Sequence, residues 1–379
     1  MKIVLVGNYA HDRQESMLRF AAALESGLAR AGVAVEMIRP EPLFGRLRPS
    51  AGGFGKWLGY LDKFVVFPFA LRKKIAHRRD VVVHICDHSN APYTRHLRRV
   101  PHVVTCNDLL AIRSALGEFP QNPTSWTGRI LQRWIANGLL RANRLACISE
   151  ATRRDLLRVL RIDGRRATVI HMGQNHPYRP MPRDEAAMRL EKLRAGLPSR
   201  RFILHVGGNQ FYKNRLGVLC IHARLRAMRR DAPALVLVGP PVAEEMKTLL
   251  AEDVIVFSDV GNEDLCALYS TAELLLFPSI AEGFGWPIAE AMACGCRVVT
   301  TGCAPMTEVG GDAAIYLNPV DESEGWTGHA ATKVSQTLDQ DAVKRDALIR
   351  AGSEQARKFA TDGMIEKYLL LYREALAAG

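Results

Sequence analysis

The sequence predicts an α/β fold made of two doubly wound parallel sheets, one in each of two domains. Short apolar runs alternate with longer amphipathic segments, the rhythm of strand–helix–strand units with helices on both sheet faces. The alternation stops at residues 175–182, where three prolines in six residues exclude regular structure, and then resumes. At 379 residues the chain is also too long for one ordinary core. We therefore expect two domains of similar size.

The apolar runs predict six strands in each half of the chain. In the first half they are Ile3–Val6, Val33–Ile38, Val81–Cys86, His102–Cys106, Leu145–Ile148 and Thr168–Ile170. In the second half they are Arg201–Val206, Ala234–Val238, Val254–Phe257, Leu274–Phe277, Arg297–Thr300 and Ala313–Leu317. The last segment is helical, and no strand follows it. We predict a first domain over 1–180, joined by the helix 363–379, and a second domain over 181–362.

The net charge of +12 is shared unevenly between the halves. Residues 1–180 hold 29 Lys/Arg and 13 Asp/Glu, whereas residues 181–379 hold 22 and 26. A basic half indicates phosphates on a substrate, a membrane or a nucleic acid. No recognised nucleic-acid reading motif accompanies these charges, so a nucleic-acid partner is the least favoured.

The richest basic window, residues 41–80, has nine Lys/Arg, three Asp/Glu and seven aromatic residues. The aromatic residues are Phe44, Phe54, Trp57, Tyr60, Phe64, Phe67 and Phe69. This mixture fits a membrane interface, although aromatic residues that fill the domain core would explain it equally well. No apolar run reaches the ~18 residues that a membrane span needs, and the N-terminus shows no signal peptide. We expect a cytoplasmic protein in peripheral contact with the inner face of the membrane.

The segment from Ala281 to Gly295 carries the strongest chemical signal, because Glu282 and Glu290 bracket a glycine-rich turn. The turn follows a buried strand and opens into a helix from about Trp286. Open α/β sheets bind ligands at the carboxyl ends of their strands, and a helix N-terminus there suits a phosphate. The arrangement predicts a site for an anion that also carries hydroxyls, such as a sugar nucleotide.

With these residues the chain resembles a retaining glycosyltransferase of the GT-B fold, in family four. Similar stretches are 101–109, 206–214 and 304–319, together with the segments around Ser149 and Gly173. The resemblance implies hexose transfer from a nucleotide diphosphate sugar, a GDP- or UDP-sugar, to an acceptor hydroxyl. The basic and aromatic window favours a glycan or lipid-linked acceptor, a precursor of a surface polysaccharide.

The resemblance also assigns site residues. It implies that Glu282 and Lys213 are catalytic, with Glu282 next to the donor sugar and Lys213 neutralising the leaving diphosphate. The implied donor-binding residues are Gly207, Gly208, Lys213, Asn214, Gly283, Phe284, Gly285 and Glu290. Relatives often carry an arginine near this lysine, but here that neighbourhood has Gly208 and Tyr212. Arg215 substitutes only if the start of its helix turns it inward.

In the first domain we assign Gly7, Asn8, Asn107 and Asp108 to the cleft that we expect between the domains. Gly7 and Asn8 follow the first strand, where a glycine lets backbone approach a phosphate. Asn107 stands where the family often has a histidine that bonds a sugar hydroxyl. An amide can bind a hydroxyl but cannot act as an acid or base.

Neither a bound cofactor nor a metal ion is expected. The sequence has no Gly-x-Gly-x-x-Gly fingerprint of dinucleotide binding and no Asp-x-Asp motif of metal-using transferases. Two other readings stay open. A sugar-nucleotide epimerase of the same fold would use the same donor site, and a non-catalytic sugar-nucleotide-binding subunit would bind without turnover. A phosphorylase of this architecture is disfavoured, since it would need a much longer chain.

Overall fold

A computed structural model describes residues 1–12, 14–47, 53–75, 80–197, 199–321 and 324–377, with the backbone alone at 53, 54, 56 and 324. Within these ranges the chain forms two compact units. The first unit spans Met1–Asn175 and Thr361–Gly379, and the second spans His176–Ala360.

The strands follow the predicted apolar runs to within two residues at either end. They are β1 (Lys2–Val6), β2 (Ala34–Ile38), β3 (Val81–Ile85), β4 (His102–Cys106), β5 (Arg144–Cys147), β6 (Ala167–Val169), β7 (Phe202–Val206), β8 (Ala234–Val238), β9 (Val254–Phe257), β10 (Leu274–Phe277), β11 (Val298–Thr301) and β12 (Ala314–Leu317). Most of their residues are buried on both sheet faces, as parallel sheets covered by helices require.

Helices cover the two sheets. They are α1 (Glu15–Arg30), α2 (Gly53–Leu61), α3 (Phe67–Ile75), α4 (Leu110–Ala115), α5 (Trp126–Arg141), α6 (Glu150–Leu160), α7 (Arg183–Leu193), α8 (Arg215–Met228), α9 (Asn262–Thr271), α10 (Trp286–Ala293), α11 (Met306–Gly310), α12 (Glu324–Leu338), α13 (Ala342–Arg357) and α14 (Thr361–Ala377). A π-helical turn, Asp62–Val66, joins α2 to α3. None of the helices in the described ranges is long and apolar enough to cross a bilayer.

Each unit contains one six-stranded sheet in which every pairing is parallel. The first sheet has the order β2-β1-β3-β4-β5-β6 and the second β12-β11-β10-β7-β8-β9. In each sheet the strand order reverses once, next to β1 in the first and next to β7 in the second. The predicted fold class, α/β with two doubly wound parallel sheets, is confirmed.

The C-terminal helix α14 packs on the first unit through a buried polar chain. The Nδ1 atom of His84 on β3 lies 2.7 Å from the hydroxyl of Tyr372. Its Nε2 atom lies 2.7 Å from Thr105 Oγ1 on β4, which in turn lies 2.9 Å from the hydroxyl of Tyr368. Burial lowers the pKa of His84 to about 3, so the ring is neutral at physiological pH.

Candidate functional site

The strand order places the two predicted donor segments at the same point of the second sheet. β7 and β10 are neighbours, and the order reverses between them. Loops that leave two such strands run to opposite faces of the sheet and open a crevice at its carboxyl edge. Residues 207–214 follow β7, and residues 278–285 follow β10. Sequence segments that are about seventy residues apart therefore meet at one switch point.

Lys213 and Glu282 form the central ion pair of this crevice. Lys213 Nζ lies 2.8 Å from Oε1 and 2.9 Å from Oε2 of Glu282. The Ser279 hydroxyl also donates to Glu282 Oε1, at 2.8 Å. The Glu282 side chain is 7% exposed and that of Lys213 is 19% exposed. The carboxylate thus has three charged or polar contacts, while the ammonium retains access to solvent and to a ligand.

Hydrogen bonds between the two loops hold Lys213 in place. Asn214 adopts a left-handed conformation with φ of 52°, and its side chain caps α8 by accepting from Gly217 N at 3.1 Å. The same amide donates to the carbonyl of Pro278 at 3.0 Å. The Ile280 N–H donates to the carbonyl of Tyr212 at 2.7 Å. The lysine therefore sits on a loop that is fastened to the Glu282 loop on both sides.

Other groups approach Gly207, which follows β7, closely. A Cβ on Gly207 would lie 3.0 Å from His205 Nε2 and 3.6 Å from the Lys213 side chain. A Cβ on Gly208 would meet only the end of the exposed Gln210 side chain, which can move away. The carbonyl of Gly207 also leaves no room for a Cβ on Gly239, at the end of β8. Small residues are needed here so that the loops after β7 and β8 can pack together.

The predicted helix after the second glycine is present as α10. Gly285 forms its N-cap with φ of 100°, a conformation that favours glycine, and Pro287 occupies the first turn. Gly285 has no side chain to cap the helix, so the N-terminal dipole is directed into the Gly283–Gly285 turn. Phe284 is buried edge-on against Phe359, and only its backbone borders the turn.

Glu290 lies one turn into α10 and is 6% exposed. It accepts a hydrogen bond from the hydroxyl of Tyr269 at 2.9 Å. Burial and the adjacent carboxylate raise the pKa of Tyr269 well above its usual value, so this hydroxyl keeps its proton and acts as the donor. The hydrogen bond orients the carboxylate before any ligand is bound.

Arg215 is turned inward, as the sequence left open, but it is fully enclosed. It is 2% exposed, and its Nη1 atom donates to Asn209 Oδ1 at 2.8 Å and to the Pro240 carbonyl at 2.6 Å. Burial lowers the pKa of this guanidinium, although it remains positively charged. Its visible role is to fasten the loops after β7 and β8 to each other.

In the first unit, Asn8 and Asn107 meet on a carboxylate that the sequence analysis did not single out, Asp87. The amide nitrogens of Asn8 and Asn107 donate to Asp87 at 2.6 Å and 3.1 Å. Asp87 follows β3, directly beside β1 at the reversal of the first sheet. Asp108 instead accepts at 2.9 Å from the N–H of Leu110, the first residue of α4. The side chains of Arg39 and Met37 fill the space beside Gly7.

Burial by itself would raise the pKa of Asp87. The adjacent His88 imidazole and the hydrogen bonds from Ser89 and Asn8 outweigh burial and hold the pKa below its usual value. The Asp87 carboxylate is therefore ionised, and it accepts hydrogen bonds from the loops after β1, β3 and β4. Like Asn8 and Asn107, Asp87 follows a buried strand. Ordinary polar loop residues share that position, so it does not by itself identify Asp87.

The two parallel-sheet units, together with a lysine, two buried glutamates and a helix N-terminus at one switch point, define the class of protein as GT-B. Family profiles agree with this class. Residues 17–176 match the family described as Glycosyltransferase Family 4, and residues 200–334 match the one described as Glycosyl transferases group 1. The chain belongs to the family-four glycosyltransferases, the glycosyl transferases of group 1.

Individual relatives are distant. The O-antigen chain mannosyltransferase B of Escherichia coli is 26% identical over 252 residues, which are 65% of this chain and 64% of that protein. The chain spans less than two thirds of the length of that protein and of two further curated relatives.

Solved structures of similar fold cover the whole chain. Sucrose-phosphate synthase from Thermosynechococcus elongatus has a TM-score of 0.76 at 18% identity and covers 100% of both chains. Anabaena HepE, solved with UDP and glucose, has a TM-score of 0.69 at 16% identity over 98% of this chain and 99% of that one. At these identities the likeness shows the shared fold.

Proposed function

We propose that this protein transfers a hexose from a nucleotide diphosphate sugar, a UDP- or GDP-sugar, to an acceptor hydroxyl with retention of anomeric configuration. The observation that carries the proposal is the Lys213–Glu282 pair at the switch point, 2.8 Å apart beside the N-terminus of α10. A cation and a helix dipole are what a diphosphate requires. A carboxylate next to them can stabilise the positive charge that develops at the anomeric carbon.

Each group has a role in the proposed reaction. Lys213 and the backbone N–H groups of Gly283–Gly285 bind the diphosphate, and Glu290 accepts hydrogen bonds from the ribose hydroxyls. The bond between the anomeric carbon and the phosphate oxygen breaks, and its electron pair leaves with the diphosphate. The acceptor oxygen bonds to the same face of the sugar, and the departing phosphate takes the acceptor proton. Lys213 and the helix dipole supply the positive charge for this step, so we propose that no metal ion is needed.

Two of the similar proteins support the choice of substrate class. A relative is named as a mannosyltransferase, and a neighbour of similar fold was solved with UDP and glucose. For this chain the hexose and the base are both part of the proposal.

A donor panel tests the proposal. Thermal shifts and product masses should be measured with UDP-glucose, UDP-galactose, UDP-N-acetylglucosamine and GDP-mannose, with and without polyprenyl-phosphate-linked sugar acceptors. We expect one donor to stabilise the protein and to yield an acceptor heavier by one hexose. An epimerised sugar without mass gain would support the epimerase alternative. Donor binding without turnover would support the non-catalytic subunit, and no binding by any donor would refute all three.

We also propose that the protein docks on an anionic membrane through the helical segment 53–75. Along this segment Trp57, Leu61, Val65 and Phe69 recur every four residues and are 60%, 43%, 51% and 68% exposed. A four-residue spacing places side chains on one helix face. Large apolar side chains in such a row, rather than singly, indicate an interaction surface.

The charges around this apolar row favour lipid as the partner. Arg46, Arg72 and Lys73 are exposed close to it in sequence, and cations attract anionic headgroups. Two other aromatic residues of the window, Phe64 and Phe67, pack into the core of the first unit. The side chain of Phe54, and residues 48–52 and 76–79, lie outside the described residues. The core interpretation of the window therefore applies to Phe64 and Phe67, and the membrane proposal rests on the exposed apolar row.

A further inference from the structure

Two buried thiols of the second unit lie in contact with each other, close to Glu290. Cys266 is on α9 and Cys294 directly follows α10, and their Sγ atoms are 3.5 Å apart. The two residues are 3% and 2% exposed, and both are free cysteines. Because a disulfide needs sulfur atoms about 2.05 Å apart, an approach of about 1.5 Å would be enough to bond them. The contact makes this pair a candidate site of oxidation.

Hydrogen bonds distinguish the two sulfur atoms. The Cys266 thiol donates to the Arg179 carbonyl, with 3.0 Å between sulfur and oxygen. Since the proton of Cys266 is used there, Cys294 is the donor in the contact between the two sulfurs. This hydrogen bond lowers the pKa of Cys266 and raises the pKa of Cys294. The thiolate is the reactive form of a cysteine, so Cys266 is the sulfur that attacks an oxidant.

The thiol pair lies one helical turn from the hydrogen bond that orients Glu290. Cys266 is three residues before Tyr269 on α9, and Cys294 is four residues after Glu290. Residues at these spacings share one face of a helix, so the sulfur contact and the Tyr269–Glu290 hydrogen bond both join α9 to α10. The Cys294 N–H also donates to the Glu290 carbonyl at 3.0 Å. A bond that draws the two sulfurs together therefore also moves the backbone that carries Glu290.

We propose that Cys266 and Cys294 form a peroxide-sensitive disulfide, which displaces the Glu290 carboxylate and weakens the binding of a nucleoside diphosphate to the second unit. The effect on the nucleotide rests on the proposed function, in which Glu290 binds the ribose hydroxyls. Because both thiols are buried, the oxidant must be small, and hydrogen peroxide is close to water in size. A dithiol reduces the bond again by thiol–disulfide exchange, so the modification is reversible.

The oxidation proceeds in two steps. The Cys266 thiolate attacks one oxygen of hydrogen peroxide, the O–O bond breaks, and the other oxygen leaves as hydroxide and takes up a proton. Cys294 then loses its proton and attacks the sulfur of the Cys266 sulfenic acid, whose S–O bond breaks to release a second water. Together the two thiols lose two electrons and two hydrogens, and the peroxide is reduced to two molecules of water.

Mass spectrometry tests whether the disulfide forms. The reduced full-length protein is treated with hydrogen peroxide, and the remaining thiols are then alkylated under denaturing conditions. We expect a species in which these two cysteines escape alkylation and the chain has lost about 2 Da. Cleavage after Glu273, which lies between Cys266 and Cys294, identifies the joined peptides. Cys266→Ser and Cys294→Ser should not form this species, whereas Cys296→Ser, a matched control at a buried position two residues further on, should.

Calorimetry with UDP and GDP tests the effect on the nucleotide. We expect the Kd of the nucleotide that wild type binds to rise about tenfold on oxidation, the effect of one hydrogen bond to a charged group, and to recover with dithiothreitol. Reduced Cys266→Ser and Cys294→Ser should bind it as wild type does, and peroxide should not change their Kd. Cys220→Ser, at a partly exposed position on α8, should keep the wild-type response.

The outcomes separate this inference from the proposed function. Peroxide treatment of wild type that left both thiols open to alkylation, or that joined a different pair, would overturn the inference. A Cys266–Cys294 disulfide that changed the nucleotide Kd by less than twofold would also overturn it, because the bond would then have no effect at Glu290. If the reduced wild-type protein bound no nucleotide, the proposed function would fail, while the mass measurement would still report whether the disulfide forms.

Discussion

Lys213 Nζ lies within 2.9 Å of both carboxylate oxygens of Glu282. The pair joins the loop after β7 to the loop after β10, and each partner is partly or fully removed from water. A buried charge without a partner is costly, so each group stabilises the other in this position. A diphosphate would then bind to a lysine that is already oriented. Because Arg215 is enclosed, Lys213 is the side chain to which we assign the diphosphate in the proposed function.

Replacement of Glu282 should abolish transfer without unfolding the protein. In Glu282→Gln the hydrogen bond from Ser279 can persist, but the negative charge beside the anomeric carbon is lost. We expect kcat to fall about 10²- to 10³-fold, as for loss of one electrostatic contact to a transition state. Glu282→Ala should be at least as impaired. Glu366→Gln, at an exposed position on α14, is the control. Near-normal turnover in either Glu282 variant would show that the catalytic assignment is wrong.

Lys213→Met should weaken binding of the free nucleoside diphosphate. We expect the Kd of UDP or GDP to rise about 10- to 100-fold by calorimetry, because a charged hydrogen bond to phosphate is worth about 1.5–3 kcal/mol. The unpaired Glu282 carboxylate should also lower the free energy of unfolding by about 1–3 kcal/mol. Lys213→Arg keeps the charge and should restore most of the affinity. Equal affinity in Lys213→Met and wild type would place the diphosphate elsewhere.

The sequence predicted the second unit in detail because its signals are local. Apolar runs marked the strands, and the glycine pattern marked the start of α10 at Trp286. A turn between a strand and a helix needs no information from the rest of the chain. The strand order brings β7 beside β10 and so places Lys213 next to Glu282. That order is not a local signal, and the prediction that the two residues share a site came from the resemblance to a family.

The first unit was less predictable, because its cluster forms between three loops. Asp87 and His88 follow a strand as Asn8 does, yet nothing local distinguishes them from ordinary polar loop residues. Their convergence depends on β1 and β3 being neighbours, although residues 7–80, which include β2, separate these strands along the chain. Arg215 was ambiguous for a similar reason, since its contacts at Asn209 and Pro240 come from two different loops.

Transfer should persist when divalent metal ions are removed. Lys213 and the N-terminus of α10 already provide positive charge where a metal would neutralise the diphosphate. Turnover in excess EDTA should stay within about twofold of that in Mg²⁺, and turnover should remain sensitive to Lys213→Met in both conditions. Strict dependence on added Mn²⁺ or Mg²⁺ would refute the metal-independent mechanism.

Removal of the exposed aromatic side chains should release the protein from anionic vesicles. Burying a large apolar side chain is worth about 1.5–3 kcal/mol, so Trp57→Ser with Phe69→Ser should reduce flotation with phosphatidylglycerol vesicles at least tenfold at low salt. Leu370→Ser is the control, because Leu370 is 56% exposed on α14, outside the 53–75 segment. Donor hydrolysis in solution should be unaffected. Failure of the wild-type protein to float at low salt would refute docking itself.

The buried His84 makes the first unit sensitive to acid. Its pKa is lowered to about 3 in the folded chain, whereas an unfolded histidine titrates near 6.5. Between these values the unfolded state binds a proton that the folded state does not, so stability is complete above about pH 6.5 and falls as the pH drops toward 3. At pH 5 the loss from this one group is about 2 kcal/mol.

A pH series on a His84 variant isolates that contribution. The fall in free energy of unfolding between pH 7 and pH 5 should be smaller by about 2 kcal/mol in His84→Gln than in wild type, because glutamine does not titrate there. The absolute stability of this variant will also drop, since the hydrogen bonds to Tyr372 and Thr105 are disturbed, but only the difference between the two pH values reports the proton. His329→Gln, at an exposed site, should leave the wild-type slope unchanged. If His84→Gln kept that slope as well, the ring would have to be protonated in the folded unit, and the contacts that fasten α14 to β3 and β4 would need to accept a charged imidazole.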